Sequence, residues 1–457
     1  MPKKKTALTI EERLQQALVP AEEQPYEVPE NWVWVRLESV ASWGSGGTPS
    51  RKHEEYYNGD ILWIKTGELN NGWIYDTEEK ITDEGLKKSS AKLFPPYSVL
   101  IAMYGATIGK VAILGVPATT NQACACAVCN QSLLYMYLFY YCISQKNVFI
   151  EKGKGGAQPN ISQIILKQHP IPLPPLSEQQ RIVERIEELF AKLDEAKERL
   201  QEVADSFAVR KAAILHKAFT GELTKQWRLE NGVSDESWEE KLLGDVCTVN
   251  PKKIDAKNLD DNLEVSFVPM AAVSDVLGEI VNHEVKNLQD VRTGFTNFSK
   301  GDVIFAKITP CMENGKSAIV GPLVNDIGYG STEFYVLRCK EELNNKYLYH
   351  MVRNTTFRAE AKAVMTGAVG QQRVPKTFLQ EYQLSLPSLP EQHEIVRLID
   401  DLLARERAAQ QAAEQALASI DLMKKSILAR AFRGELGTNK ASEASALELL
   451  RQVLAEG

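Results

Sequence analysis

PLPPLSEQQRIVERIEELFAKL, from Pro172 to Leu193, is answered 213 residues later by SLPSLPEQHEIVRLIDDLLARE, from Ser385 to Glu406. The offset then holds without a gap to Leu223 and Leu436. It carries Glu178 onto Glu391, Gln179 onto Gln392, Ile182 onto Ile395, Phe219 onto Phe432 and Gly221 onto Gly434. Fixed positions at fixed spacing mean that helix length itself is specified. Ahead of each helix the offset drifts, to 206 for Trp32/Trp238 and 210 for Tyr137/Tyr347, as when insertions collect in the loops of a kept scaffold. The chain reads as two copies of one unit, a globular domain followed by a long helix.

Within the helices, Ile182, Ile186, Leu189, Leu193, Ala196, Leu200, Val203 and Phe207 alternate steps of four and three, and Ile395, Ile399, Leu402, Ala409, Ala413, Ala416, Ile420, Met423 and Ile427 fall at the same places. These are heptad seams on helices that each span on the order of 60 Å. Arg210 and Glu406 are their polar interruptions. Large residues in one seam face small ones in the other, so the simplest reading pairs the two helices antiparallel about a pseudo-two-fold axis, as a spacer. The competing reading, a coiled coil that only oligomerises, does not require equal lengths. Ser177 to Gln180 has the pattern of a capping box, and Gly221 and Gly434 have that of helix stops. The expected fold class is α/β (mixed α+β). Its expected parts are an N-terminal extension with a short amphipathic helix (1–31), a first globular domain (32–175), helix (176–222), linker (223–237), second domain (238–388), helix (389–435) and C-terminal amphipathic helix (436–457).

At 457 residues, 44% hydrophobic and 25% charged, the composition is that of an ordinary globular protein. The longest apolar run, Leu133 to Ile143, is too short to span a bilayer, and MPKKKTALTIEERL lacks the apolar stretch of a signal peptide. A cytoplasmic protein is expected. Seven cysteines fit reduced thiols better than a disulfide framework. A net charge of −7 argues against non-specific nucleic-acid binding over the whole surface, since phosphates are neutralised by local Lys and Arg.

Each domain carries a predicted hairpin round a Gly-Lys turn, SVLIAMYGATIGKVAIL (Ser98 to Leu114) and DVIFAKITPCMENGKSAIV (Asp302 to Val320). The aromatics that follow, around Tyr137 and Tyr347, have core spacing. Polar loops are the better contact candidates, because Gln, Asn, Arg and Lys read base edges and phosphates. In the first copy these are Thr48, Ser50, Arg51, Lys65, Asn70, Tyr104, Thr107, Lys110, Gln158 and Asn160. In the second they are Lys307, Lys316, Gln371, Gln372 and Arg373. Taken singly, each such loop is more often just solvated surface.

Several motifs come close to chemistry and miss. Phe94-Pro95-Pro96-Tyr97 resembles a methyltransferase loop, but Phe cannot accept a hydrogen bond from a target amine. PCMENGKS (Pro310 to Ser317) lacks the first glycine and the strand-loop-helix context of a phosphate cradle. Asp275 with Glu284 and Lys286 matches a nuclease pattern that charged chains produce by chance. Cys124, Cys126 and Cys129 alternate as a strand does and have no second ligand pair. No catalytic or metal-ligating set is expected in this chain.

The order domain, helix, domain, helix, together with GGTPS (Gly46 to Ser50), GDILWIKTGEL (Gly59 to Leu69), GATIGKVAI (Gly105 to Ile113), GGAQPNIS (Gly155 to Ser162) and the Ala-Phe-x-Gly-Glu-Leu helix ends (Ala218 to Leu223, Ala431 to Leu436), resembles the DNA-specificity subunit of type I restriction-modification systems. That resemblance implies a non-catalytic subunit whose two target-recognition domains each read one half of a split double-stranded DNA site. The helices would set the gap. It further implies two modification subunits methylating adenine at N6 with S-adenosylmethionine, joined by restriction subunits that use ATP and Mg2+; the cell would be bacterial or archaeal. The terminal segments Glu11 to Val19 and Leu447 to Ala455 also echo each other, which is either a pair of pseudo-symmetric docking helices or a chance likeness. Two other readings stay open: an adaptor that separates two protein partners without reading DNA, and a self-sufficient DNA methyltransferase.

Overall fold

The computed structural model describes residues 9–153, 160–256, 258–368 and 370–456. The chain divides into two compact units, Met1–Arg199 with Ala416–Gly457, and Leu200–Gln415. Each unit therefore combines one domain with the start of its own helix and the end of the other. The fold is mixed α and β, as the strand and helix periodicities imply.

In the first unit a five-stranded sheet runs in the order 41–45, 124–129, 99–102, 111–114, 73–74, and a three-stranded sheet in the order 80–81, 57–64, 119–120. Strands Val99–Ala102 and Val111–Leu114 are apolar at every position because both their faces are covered. Val99, Ile101, Val111, Ile113, Ala125 and Ala127 face the helix-side core. Their neighbours Leu100, Ala102, Ala112, Leu114, Cys124 and Cys126 face a second core with Leu62 and Ile64. The cysteines are thus strand residues, and burial holds the Cys124 thiol up at about 12.

The second unit repeats the plan with two four-stranded sheets, 247–249, 334–339, 303–306, 317–319 and 284–287, 264–268, 328–330, 296–298. Val303 and Phe305 face the helix side, and Ile304 and Ala306 the other. Helices Tyr135–Ser144 and Asn345–Arg353 pack on the equivalent sheet face in each. Tyr137 meets Phe432 edge-on at 5.2 Å, and Tyr347 meets Phe219 in the same way at 5.2 Å. In both units, then, the core aromatic is closed by the end of the other copy's helix.

The repeated Glu-Gln pair explains why the sequence returns so faithfully. Gln179 is fully buried; its Nε2 donates to the carbonyls of Ser132 and Pro174 at 2.9 and 3.0 Å, and its Oε1 accepts from the Leu134 amide. Gln392 makes the same three bonds with Glu342, Pro387 and Asn344. Beside it, the buried carboxylate of Glu178 accepts from Thr438 Oγ1 at 2.7 Å, and that of Glu391 from Thr224 Oγ1 at 2.7 Å. The amide ties each helix to its own domain, and the carboxylate ties it to the returning end of the other helix. Both roles forbid substitution because an unpaired buried polar group costs about 1–3 kcal/mol.

The pairing is antiparallel inside each unit. Asp194 meets Lys424 at 2.6 Å in the first, and Arg210 meets Glu406 at 2.6 Å in the second. The two polar interruptions of the seams are therefore each other's partner. The first helix is divided into Leu176–Asp205 and Phe207–Phe219, where an unbroken helix is expected. At the junction Ser206 Oγ donates back to the Val203 carbonyl, a local bond that competes with the helical ladder. The second helix is unbroken from Leu389 to Ala431.

Three sequence expectations are corrected. Ala409 is exposed, as is Met423, whereas Gln410, Ala413, Leu417, Ile420 and Lys424 are buried or half-buried, so the seam lies one residue round from the position read for Ala409. A lysine can sit in it because its stem packs while its ammonium reaches Asp194. Ile182, Ile186, Ile395 and Ile399 are fully buried, and Leu189, Leu193, Leu200, Phe207 and Leu402 half-buried. The capping box at Ser177 does not form, because the helix starts at Leu176 and the Pro175 carbonyl takes the Glu178 and Gln179 amides. The terminal helices Ile10–Ala17 and Ala446–Glu456 do not occupy one place in each unit. Both lie in the first, where Arg13 donates to the Leu454 carbonyl and Leu14 and Leu450 share one core.

His169 gives the first unit a pH dependence. Its ring is buried beside Phe149 and Tyr141, with Lys152 Nζ 3.2 Å from Nδ1. Burial, and then the Lys152 charge, lower its pKa from 6.5 to about 3. The unfolded chain takes up a proton below pH 6.5 and the folded one does not, so stability falls as pH falls. Between pH 7 and 5 the loss is about 2 kcal/mol. Denaturant unfolding at the two pH values is expected to show it, and His169→Gln to remove that increment.

Candidate nucleic-acid interface

In the first unit, strand Ala41–Ser45 delivers the GGTPS loop. A Cβ at Gly46 would lie 1.9 Å from the Thr120 carbonyl oxygen, and one at Gly47 2.3 Å from Ser90 Oγ, so this close backbone approach requires both glycines. Trp63 Nε1 donates to the Gly47 carbonyl at 2.9 Å, and Thr48 Oγ1 to Gln122 Oε1. Thr48 and Ser50 are exposed. Arg51 lies over the rings of Tyr57 and Trp63 at 4.4 and 5.1 Å and pairs with Glu79 at 2.7 Å. Lys65, from a separate motif, reaches the same Glu79 at 3.0 Å and Glu78 at 3.1 Å. Hydrogen bonds from Arg51 and then Lys65 hold the Glu79 carboxyl below the usual range. The tertiary structure thus brings two distant cations onto one acid that the sequence did not single out.

Asn70 is exposed at the next turn. Asn71 adopts φ +58° and accepts from the Val111 amide through Oδ1 at 3.2 Å, which joins this loop to the Gly-Lys hairpin. In that hairpin Gly105 and Gly109 have φ +59° and +74°, Thr107 Oγ1 donates to the Tyr104 carbonyl, and the Lys110 amide to the Thr107 carbonyl. Tyr104, 44% exposed, forms a β-bridge with Asn160. Gln158 lies outside the described residues. The motifs around 50, 65, 105 and 160 are therefore stitched into one loop cluster. Lys87, Lys88 and Lys92 are exposed around Ser90 and Ala91, against which Gly47 packs. The string KKSSAK is a local signal for them, but only the packing of Gly47 on Ser90 and Ala91 sets them beside the loop cluster.

The second unit builds its cluster differently. Ile308 and Arg373 bridge as Tyr104 and Asn160 do. Arg373 grips Glu333 through Nε and Nη2 at 2.9 and 2.8 Å, and Lys307 stands over Tyr335 at 5.3 Å. The backbone of Gln372 is bound at both ends to Thr309, while Gln371 is exposed. Lys316 differs from its counterpart Lys110, because its ammonium donates to the Met270 carbonyl at 3.2 Å, a tie to the scaffold.

The rejected motifs have scaffold places. Phe94 is buried, its ring against Gly44, and bridges Ala118. Gly315 and Glu313 in PCMENGKS accept through their carbonyls from Arg353 and Arg358. Among the described residues no three His, Cys, Asp or Glu side chains are grouped so as to hold a metal ion. No helix there is long and apolar enough to cross a membrane.

Two sheet domains on one plan, with different polar loops and exchanged helix ends, define a class of duplicated recognition-domain proteins. The family described as type I restriction modification DNA specificity domain matches residues 29–205 and 235–416. The chain belongs to that family. It is 32% identical over 260 residues to the Escherichia coli type I restriction enzyme EcoEI specificity subunit, covering 48% of this chain and 43% of that one. To the Salmonella potsdam StySPI specificity subunit it is 25% identical over 457 residues, covering 94% and 96%. The crystal structure of the HsdS subunit from Thermoanaerobacter tengcongensis shares the fold, with a TM-score of 0.64 at 20% identity, covering 91% of this chain and all of that one.

Proposed function

We propose that this chain is the sequence-reading subunit of a type I restriction-modification complex. The loop cluster of each unit reads one half of a bipartite double-stranded DNA site. The paired long helices set the number of unread base pairs between the halves. The observation that carries this reading is the exchange of helix ends, since Glu178 with Thr438 and Glu391 with Thr224 make each recognition domain depend on the full length of both helices. A module that only oligomerised would need no such equality. Different loops on one scaffold fit half-sites of different sequence.

The chain itself holds no cofactor in this reading. Two modification subunits bind S-adenosylmethionine and methylate adenine, restriction subunits bind ATP and Mg2+, and the complex works in the cytoplasm. Arg51 and Lys65 would leave Glu79 for DNA phosphates, with Lys87, Lys88 and Lys92 adding positive charge beside them. Lys110, with no side-chain partner among the described residues, would face the same half-site.

Co-expression with the candidate modification subunits, followed by long-read mapping of methylated adenines, tests the reading. A split motif with a fixed gap is expected. Lys110→Ala is expected to relax one half-site, costing about 1–3 kcal/mol if the contact is to a base, and to leave the other unchanged. An adenine map indifferent to the presence of this chain would sink the proposal.

A further inference from the structure

The internal repeat provides its own comparison for a cavity in the second unit. Lys211, on helix Phe207–Phe219, lines a cavity of about 420 Å³ with Lys346, Tyr349, Arg353, Leu403 and Arg407. Carried across by 213 residues, Lys211 corresponds to Lys424, Arg407 to Asp194 and Leu403 to Phe190. In the first unit Lys424 is neutralised by Asp194 at 2.6 Å and lies 5.0 Å from the centre of the Phe190 ring. In the second, the acid has become Arg407 and the aromatic has become Leu403. One exchange removes the counter-ion, and the other opens space.

Lys211 consequently has no hydrogen-bond or ion-pair partner among the described residues. Burial, then the charges of Arg353, Arg407 and Arg358, lower its pKa to about 8. Of the two carboxylates at the cavity, Asp400 is taken by Lys346 at 3.0 Å and His350 at 3.1 Å, and Glu279 is exposed. Arg353 is fixed by the carbonyls of Gly315 and Asp275 at 2.8 and 2.7 Å, and lies 5.5 Å from the Tyr349 ring centre. Unpaired cations gathered in a partly buried space are stabilised by an anion, and guanidinium groups match the geometry of phosphate. A cavity of this size, part apolar and part charged, is in the range that holds a small organic molecule.

We propose that this cavity binds a small phosphate-bearing molecule, with the phosphate between Lys211, Arg353 and Arg407 and the organic part against Tyr349 and Leu403. None of these residues is among the candidate DNA contacts, and Arg353 touches that set only through the Gly315 carbonyl next to Lys316.

The test is calorimetric titration of the full chain with inorganic pyrophosphate and with adenosine monophosphate. Arg407→Asp is the variant to compare, since it rebuilds the first unit's ion pair on Lys211 and is expected to fold, as checked by circular dichroism. Saturable binding of either probe to the unaltered chain, weakened at least tenfold in Arg407→Asp, is expected. No binding of either probe, or equal binding by the variant, overturns the proposal. It also falls if a short DNA duplex displaces the probe and itself loses affinity in Arg407→Asp, because the phosphate would then be that of DNA.

Discussion

Arg228→Ala is expected to lower the stability of the second unit by about 3–5 kcal/mol, the cost of leaving a buried charge without its partner. Arg228 and Glu391 have side chains 7% and 0% exposed and meet at 2.7 Å. The guanidinium also donates to Thr224 Oγ1, the Gly221 carbonyl and Asp235. Removing it strands the Glu391 carboxylate, one of whose oxygens already lacks a hydrogen-bond partner. It also frees the turn at Gly221, whose φ of +76° ends the first long helix. Denaturant unfolding of the full chain measures the loss. The pair Arg228→Met with Glu391→Leu is expected to recover much of it, since apolar replacement of both partners removes the unpaired charge. A single-variant cost under about 1 kcal/mol would show that water reaches the carboxylate.

A heptad inserted after Arg199 together with one after Gln415 is expected to lengthen the unread gap in the methylated motif and leave both half-sites as they were. Seven residues add about 10.5 Å to a helix, close to three base pairs at about 3.4 Å each. Both insertions are needed because the helices run antiparallel in each unit, with Asp194 opposite Lys424 and Arg210 opposite Glu406. Lengthening one alone would pull Glu178 from Thr438 or Glu391 from Thr224. A whole heptad keeps the seam on one face, whereas other lengths would rotate it. An unchanged gap in the adenine map of the double insertion would end the idea that the helices measure distance.

Much of the fold was legible because its signals are local or periodic. The hairpins Val99–Ala102 with Val111–Leu114 and Val303–Ala306 with Ser317–Ile319 follow from β-rich runs bounded by Gly-Lys turns. Tyr137 and Tyr347 are core residues at helical spacing. Ala409 fits the heptad spacing yet lies one residue off the seam, because alanine is equally at home on either face and because a polar residue, Lys424, occupies a seam position. The loop clusters were legible as strings but not as a site. Nothing between Arg51 and Lys65 in the sequence announces Glu79, and nothing near Lys316 announces the Met270 carbonyl that ties it down.

The sequence by itself determined that there are two copies, that each is a sheet domain followed by a helix, and that the helices are equal in length, because repetition and periodicity are properties of one dimension. Only the tertiary structure decided which half of each helix belongs to which domain. It also decided that Arg210 and Glu406 answer each other, that Arg228 takes at Glu391 the part Arg181 plays at Glu178, and that both terminal helices lie in one unit. These are contacts between residues up to 441 positions apart, set by burial and by the cost of leaving a buried charge without a partner, and no local pattern encodes them.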